Sequence, residues 1–303
     1  MRTAALLSCG TLAAALTLAI LLNKRGRRFN RRALLFGLLA PRRPRIAYIN
    51  TEDADKWKDQ LDVFARALGL PEAAFERFDA YNGEYPSALQ LRLGRYDGVL
   101  ITGSHYSAVD PSLAWLDGLF ECIRNCAKNK HVRLLGCCFG CQAVSVALGG
   151  QVGNNPDGKF VFGTETIRLQ TTRLSEYEWA RDALTSKDVP FLPKHLSLLQ
   201  SHGEQVLALP PSAHLLGSSA TAQNELFVCG EQANILCCQS HPEFDVKLVR
   251  ERIEPALLAK GRVSEQEMGK IVTTMERSEG LGEIDSGRGR ALYRRFLVGS
   301  VGD

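Results

Sequence analysis

The chain has 303 residues, 45% of them hydrophobic and 23% charged, enough apolar material for a sizeable core and too much for a disordered chain. Its net charge of +4 is a property of one end: residues 1–45 hold ten Lys or Arg and no acid, which leaves 27 of the 37 basic residues against all 33 acidic ones, a net of −6. Without a basic patch interleaved with aromatics, the body gives no support to nucleic-acid binding, and nine cysteines in a chain this long, mostly clustered, point to buried thiols in a reducing compartment rather than a disulfide framework.

In chain order, Ala4 to Leu22 is an uncharged apolar run, followed at once by Lys24-Arg25-Gly26-Arg27-Arg28 and Arg31-Arg32. At about 1.5 Å per residue a helix there would match a bilayer core. The expectation is a transmembrane anchor, a membrane tether whose basic flank keeps the body facing the cytoplasm. An Arg-rich, acid-free tail also fits a mitochondrial or plastid transit peptide. Residues 1–42 are therefore set apart from a catalytic domain over 43–250 and a helical extension over 251–303 packed on it.

Past Pro44 the pattern alternates. Arg45–Asn50 reads as a buried strand, Lys56–Leu68 as a helix, Phe75–Asp79 as a strand and Ala88–Leu93 as a short helix. Gly98–Ile101 is a strand, Leu113–Ala127 a helix and Val132–Leu135 a strand. Such alternation predicts an α/β fold, a central and mostly parallel sheet flanked by helices, with the active site at the carboxyl ends of the strands. Thr164–Leu169 and Leu196–Leu216 read as β-strands and loops. Gly280–Arg290 reads as a surface loop before a last helix, Ala291–Leu297.

Two segments carry chemistry. Leu134-Leu135-Gly136-Cys137-Cys138-Phe139-Gly140-Cys141-Gln142 is strand, tight turn, cysteine, helix. Glycines suit a turn that crowds the backbone, and the helix N-terminus favours thiolate over thiol. Ile235-Leu236-Cys237-Cys238 is a strand that runs into Gln239-Ser240-His241-Pro242-Glu243. A cysteine nucleophile needs a base and a group that orients the base; His241 and Glu243 fit those roles.

These segments resemble the nucleophile motif G-x-C-x-G-x-Q and the histidine motif of class I glutamine amidotransferases, and alignment on the former makes Cys138 the nucleophile, not Cys137 or Cys141. Val99-Leu100-Ile101-Thr102-Gly103-Ser104 resembles the family's oxyanion strand and turn, and Ser201-His202-Gly203-Glu204-Gln205-Val206 its S-H-x-D-x-V segment, with Glu204 where Asp is usual. The resemblance spans roughly residues 43 to 300. It implies flavodoxin-like layering, an oxyanion hole from the N–H groups of Gly103 and Phe139, and Gln142, Ser104 and His105 against the substrate. It also implies a γ-glutamyl thioester on Cys138 and no metal or organic cofactor.

Cys141 stands where the family usually has His. The resulting C-x-x-C leaves three readings: a regulatory disulfide with Cys138, a zinc site with Cys138, Cys238 and His241, or a residue that fills a small pocket. About 58 residues follow Asp245, too few for a synthetase domain, so ammonia would pass to a separate synthetase partner or the enzyme would be a stand-alone hydrolase. The helices after His-Pro-Glu and the turn Asn82-Gly83-Glu84-Tyr85-Pro86 look like those of plant γ-glutamyl peptidases. The expectation is cleavage of γ-glutamyl bonds in glutathione-like peptides or conjugates. A glutaminase subunit is the alternative, and a silent or redox-sensing binding module is a reading of another class.

Overall fold

The computed structural model describes residues 44–299. Eleven strands lie among them: β1 (Ile46–Asn50), β2 (Phe75–Asp79), β3 (Gly98–Ile101), β4 (Arg133–Cys137), β5 (Gln151–Asn154), β6 (Val161–Leu169), β7 (His195–His202), β8 (Glu204–Ala208), β9 (His214–Ser218), β10 (Leu226–Cys229) and β11 (Ile235–Cys238). The helices are α1 (Gln60–Leu68), α2 (Ala88–Arg92), α3 (Trp115–Ala127), α4 (Phe139–Ala147), α5 (Thr171–Leu174), α6 (Glu178–Leu184), α7 (Val246–Leu248), α8 (Glu254–Ala259), α9 (Glu265–Gly280) and α10 (Ser286–Val298). A π-helical turn, Val249–Ile253, joins α7 to α8.

Nine strands form one sheet in the order β2-β1-β3-β4-β11-β10-β9-β6-β7. From β2 to β11 the neighbours are parallel, and from β11 to β7 they are antiparallel. Of the parallel strands, β1, β3 and β11 are short, fully buried runs, as strands covered by helices on both faces must be, whereas the edge strand β2 is charged and only half-buried. Side chains alternate along them: Ala47, Ile49, Val99, Ile101 and Leu134 enter one core, and Ile46, Tyr48, Leu100 and Leu135 enter the other. A third cluster, with Trp57, Leu199, Phe244, Val249, Leu257 and Met275, lies under the helices after residue 245.

Register decides where chemistry can gather. Ile49 pairs with Ile101, Ile101 with Gly136, and Cys137 with Cys238. The carboxyl ends of β1, β3, β4 and β11 are therefore level, and the turns that follow them meet on one edge, the usual place for a site in an open α/β sheet.

Two expectations are corrected here. No helix among the described residues is long and apolar enough to cross a membrane; the transmembrane helix placed at Ala4–Leu22 lies outside the described residues, and the reading is withdrawn. The loop expected at Gly280–Arg290 is confined to 281–285, because α9 runs to Gly280 and α10 starts at Ser286. Glycine is unfavourable inside a helix, so Gly287 and Gly289 read as loop. Yet a β-carbon on Gly289 would lie 2.5 Å from Pro242 Cβ. The glycine is what lets the helix approach the histidine turn.

Candidate active site

The elbow follows from crowding. At the end of β4 the chain reverses into α4, and Cys138 carries the reversal with φ 49° and ψ −104°. A non-glycine residue at positive φ is strained, and such strain collects at functional sites. The flanking glycines are sterically forced. A β-carbon on Gly136 would lie 2.7 Å from the carbonyl of Gly140, and one on Gly140 would lie 2.5 Å from Ile101 O. Two backbone bonds fix the turn: Cys138 N–H donates to Cys238 O at 2.8 Å and Gly140 N–H to Thr102 O at 3.1 Å. Among the described residues no acceptor takes the N–H of Gly103 or of Phe139. Phe139 sits at the start of α4, where backbone N–H groups are free by geometry.

Gly103 lies between the thiol and the imidazole. A β-carbon there would stand 3.1 Å from His241 Cε1 and 3.6 Å from Cys138 Cβ. His241 Nδ1 is 2.6 Å from Glu243 Oε1, and both side chains are almost completely buried. Burial by itself would push the imidazolium down. The carboxylate of Glu243, and then the sulfurs of Cys138 and Cys137, more than reverse this, so His241 is held well above the ordinary histidine range. Its ring stacks on Phe244 at 4.2 Å and 2°. The Cys138 sulfur accepts from Gln239 Nε2 at 3.4 Å, and its S–H points towards Ser201 O at 3.9 Å.

Cysteine 137 is a neighbour that the motif did not announce. Its sulfur lies 3.4 Å from each carboxylate oxygen of Glu243 and 3.9 Å from His241 Nδ1. Burial, then the charge of Glu243, pushes the Cys137 thiol well up, so it serves as an S–H donor to that carboxylate. Three more such residues come from α10. Arg290 donates from Nε to Pro242 O at 2.8 Å and from Nη2 to Phe244 O at 3.0 Å, Tyr293 OH donates to Ser240 O at 3.4 Å, and Gly289 packs on Pro242. No local pattern links residues 289–293 to a turn some fifty positions upstream.

A cavity of about 310 Å³ opens on these groups, lined by Gly103, Ser104, His105, Cys138, Gln142 and His241 among others. Glu243 and Phe139 are buried behind it. Gln142 is pinned, with Nε2 donating to Glu204 O at 2.8 Å and to Gln239 Oε1 at 3.2 Å. Ser104 Oγ donates to Thr51 O at 2.6 Å and braces the loop. His105 Nδ1 lies 2.7 Å from Glu52 Oε1. His202 also lines the cavity; burial pushes it down to about 4, so it is neutral.

Cys141 is fully buried, in a different core cluster from Cys138, and burial raises its thiol. The ligand atoms of Cys138, Cys141, Cys238 and His241 do not converge on one point, so the geometry does not assemble that zinc set. The turn Asn82–Pro86 lies outside the cavity lining: Gly83 takes φ 77°, and Tyr85 OH donates to Ala80 O at 3.0 Å.

Comparison with known proteins agrees with this geometry. Residues 78–255 match the family model Glutamine amidotransferase class-I. The chain is 30% identical over 222 residues to Gamma-glutamyl peptidase 3 of Arabidopsis thaliana, covering 72% of this chain and 82% of that one. It is 26% identical over 246 residues to Gamma-glutamyl peptidase 4 of the same plant, covering 80% and 91%. Among solved structures it resembles a glutamine amidotransferase from Thermotoga maritima, with a TM-score of 0.62 at 22% identity over 84% of this chain and 99% of that one. With the elbow, the His-Glu pair and the matched span in agreement, the chain belongs to the class I glutamine amidotransferase family.

Proposed function

We propose that this chain is a cysteine hydrolase that cleaves γ-glutamyl bonds in glutathione-like or conjugated peptides. The observation that carries the reading is the His241–Glu243 pair, 2.6 Å apart and buried, beside the strained cysteine elbow. The similarity to γ-glutamyl peptidases over most of both chains supports the substrate class.

The Cys138 thiolate attacks the γ-carbonyl carbon, and the electron pair of the C=O moves to oxygen. The unengaged N–H groups of Gly103 and Phe139 receive that oxyanion; one such donor contributes roughly a hundredfold or more in rate. His241, kept protonated by Glu243, gives its proton to the leaving nitrogen as the C–N bond breaks. The amine departs and a γ-glutamyl thioester remains. Neutral His241 then takes a proton from water, the hydroxide adds to the thioester, and the C–S bond breaks to return the thiolate and release the γ-carboxylate. Gln142 acts on the sulfur through Gln239, while Ser104 and His105 shape the seat of the substrate.

The test uses the 303-residue chain with and without Cys138→Ala. Glutamate release is measured from glutathione, a glutathione S-conjugate and glutamine under reducing conditions. Peptide cleavage is expected, falling at least about a thousandfold in the variant. Hydrolysis of glutamine alone would mark instead a glutaminase subunit that passes ammonia to a separate synthetase.

A further inference from the structure

The cavity that holds Cys138 and His241 is also lined by three cations, Lys56, Lys260 and Arg262. None of the three is in an ion pair among the described residues; Lys56 Nζ donates only to the backbone carbonyl of Arg252, at 3.1 Å. Of the acids on the same cavity, Glu52 is engaged by His105 and by the N–H of Ala54, and Glu204 accepts from Ser107 Oγ at 2.9 Å. Lys56 is held below the ordinary ammonium range first by burial and further by the positive charge of Lys260, against the pull of Glu52. Like charges gathered in a cleft raise the local concentration of anions.

Their placement relative to the chemistry follows from a ring stack. His241 lies on Phe244 at 4.2 Å, Phe244 on Trp57 at 5.4 Å and 11°, and Lys56 Nζ stands 5.9 Å from the Trp57 ring. Two aromatic rings thus stand between the imidazole and Lys56. The α-carboxylate of a γ-glutamyl group is only three carbons from the reacting carbonyl. A carboxylate two residues along the leaving group lies about 7 Å from the same carbonyl when extended, and on its other side.

Granting the γ-glutamyl hydrolase reading, we infer that Lys56, Lys260 and Arg262 form a subsite for the free carboxylate of the leaving group. The enzyme then selects γ-glutamyl peptides that end in a free acid over their C-terminal amides. Arg262 supplies a planar fork suited to a carboxylate, and the two lysines supply point charges.

The test compares kcat/KM for γ-Glu-Cys-Gly and its C-terminal amide, in the wild type and in the Lys260→Ala/Arg262→Ala double variant. Both positions are exposed. The acid should be preferred by about tenfold or more, through KM, with the preference eroding as ionic strength rises. In the double variant the acid's kcat/KM should fall to the level of the amide. Equal kcat/KM for the two peptides in the wild type, or a preference that survives the double substitution, would overturn the subsite. So would a charge preference lost on amidating the α-carboxylate of the γ-glutamyl group instead. If neither peptide is cleaved, the hydrolase reading fails separately. Titration of Cys138→Ala with both peptides still decides the subsite: tighter binding of the acid that disappears with Lys260 and Arg262 supports it, and equal affinity overturns it.

Discussion

The elbow that carries Cys138 and the turn that carries His241 meet at one cavity, and they are held in different ways. The elbow is fixed by backbone packed against backbone: Gly136 against Gly140, Gly140 against Ile101, and Cys138 N–H on Cys238 O. The histidine turn has backbone bonds too, His241 N–H to Leu199 O at 2.8 Å and Phe244 N–H to His241 O at 3.2 Å, but it also leans on side chains that arrive from elsewhere, with Arg290 on two of its carbonyls, Tyr293 on a third and Gly289 against Pro242. A cysteine on a crowded elbow has little room to move, whereas part of the hold on His241 depends on side chains some fifty positions away.

The largest departure is expected where the elbow is most crowded. Gly140→Ala would set a β-carbon 2.5 Å from the carbonyl oxygen of Ile101. It should destabilise the fold by about 3 kcal/mol or more, read as the urea midpoint of unfolding. A variant of wild-type stability would break the distinction, since the elbow would then have slack.

Next comes Glu243→Gln. The carboxylate is what holds His241 above its ordinary range against burial. Without it only the sulfurs of Cys138 and Cys137 oppose burial, and His241 loses its proton at lower pH. The alkaline limb of the kcat/KM profile should therefore move to lower pH, and kcat should fall by at least about tenfold. An unmoved alkaline limb would show that Glu243 only orients the ring.

Removal of the brace should give a mixed result. Arg290→Ala leaves Pro242 O without its donor and Phe244 O with only the 3.5 Å bond from Ser286 Oγ, a cost of about 1–3 kcal/mol. A lower Tm and a kcat reduced more than KM are expected, in contrast to the stability-first loss at Gly140. Smallest is Tyr293→Phe, which removes one 3.4 Å bond to Ser240 O and should cost about 1 kcal/mol or less in thermal unfolding, with activity close to wild type.

The same contrast explains what the sequence could be read for. The inner parallel strands were legible because a doubly covered strand is an unbroken apolar run: Ile46–Asn50 and Gly98–Ile101 fall within the expected limits. Gly136 and Gly140 were legible because the clash they avoid is with neighbours in the same motif or the next strand. The strand Leu226–Cys229 was not, since four buried residues without alternation resemble any apolar turn. Gly289 was misread for a physical reason. Helix propensity counts a glycine against a helix, and the gain that offsets it, contact with Pro242, lies 47 positions away in sequence. Cys137 hid behind the nucleophile beside it; nothing local says that its sulfur would meet Glu243.

The brace also sets an order of events during synthesis. A chain translated as far as residue 260 already contains the thiol, the imidazole, the carboxylate and both glycines of the elbow. It lacks the helix over Ser286–Val298, which holds the turn that carries His241. The turn gains the contacts of Gly289, Arg290 and Tyr293 only when that helix has left the ribosome and docked. The newly made chain thus carries the cysteine of the elbow before the turn opposite it has its full set of contacts.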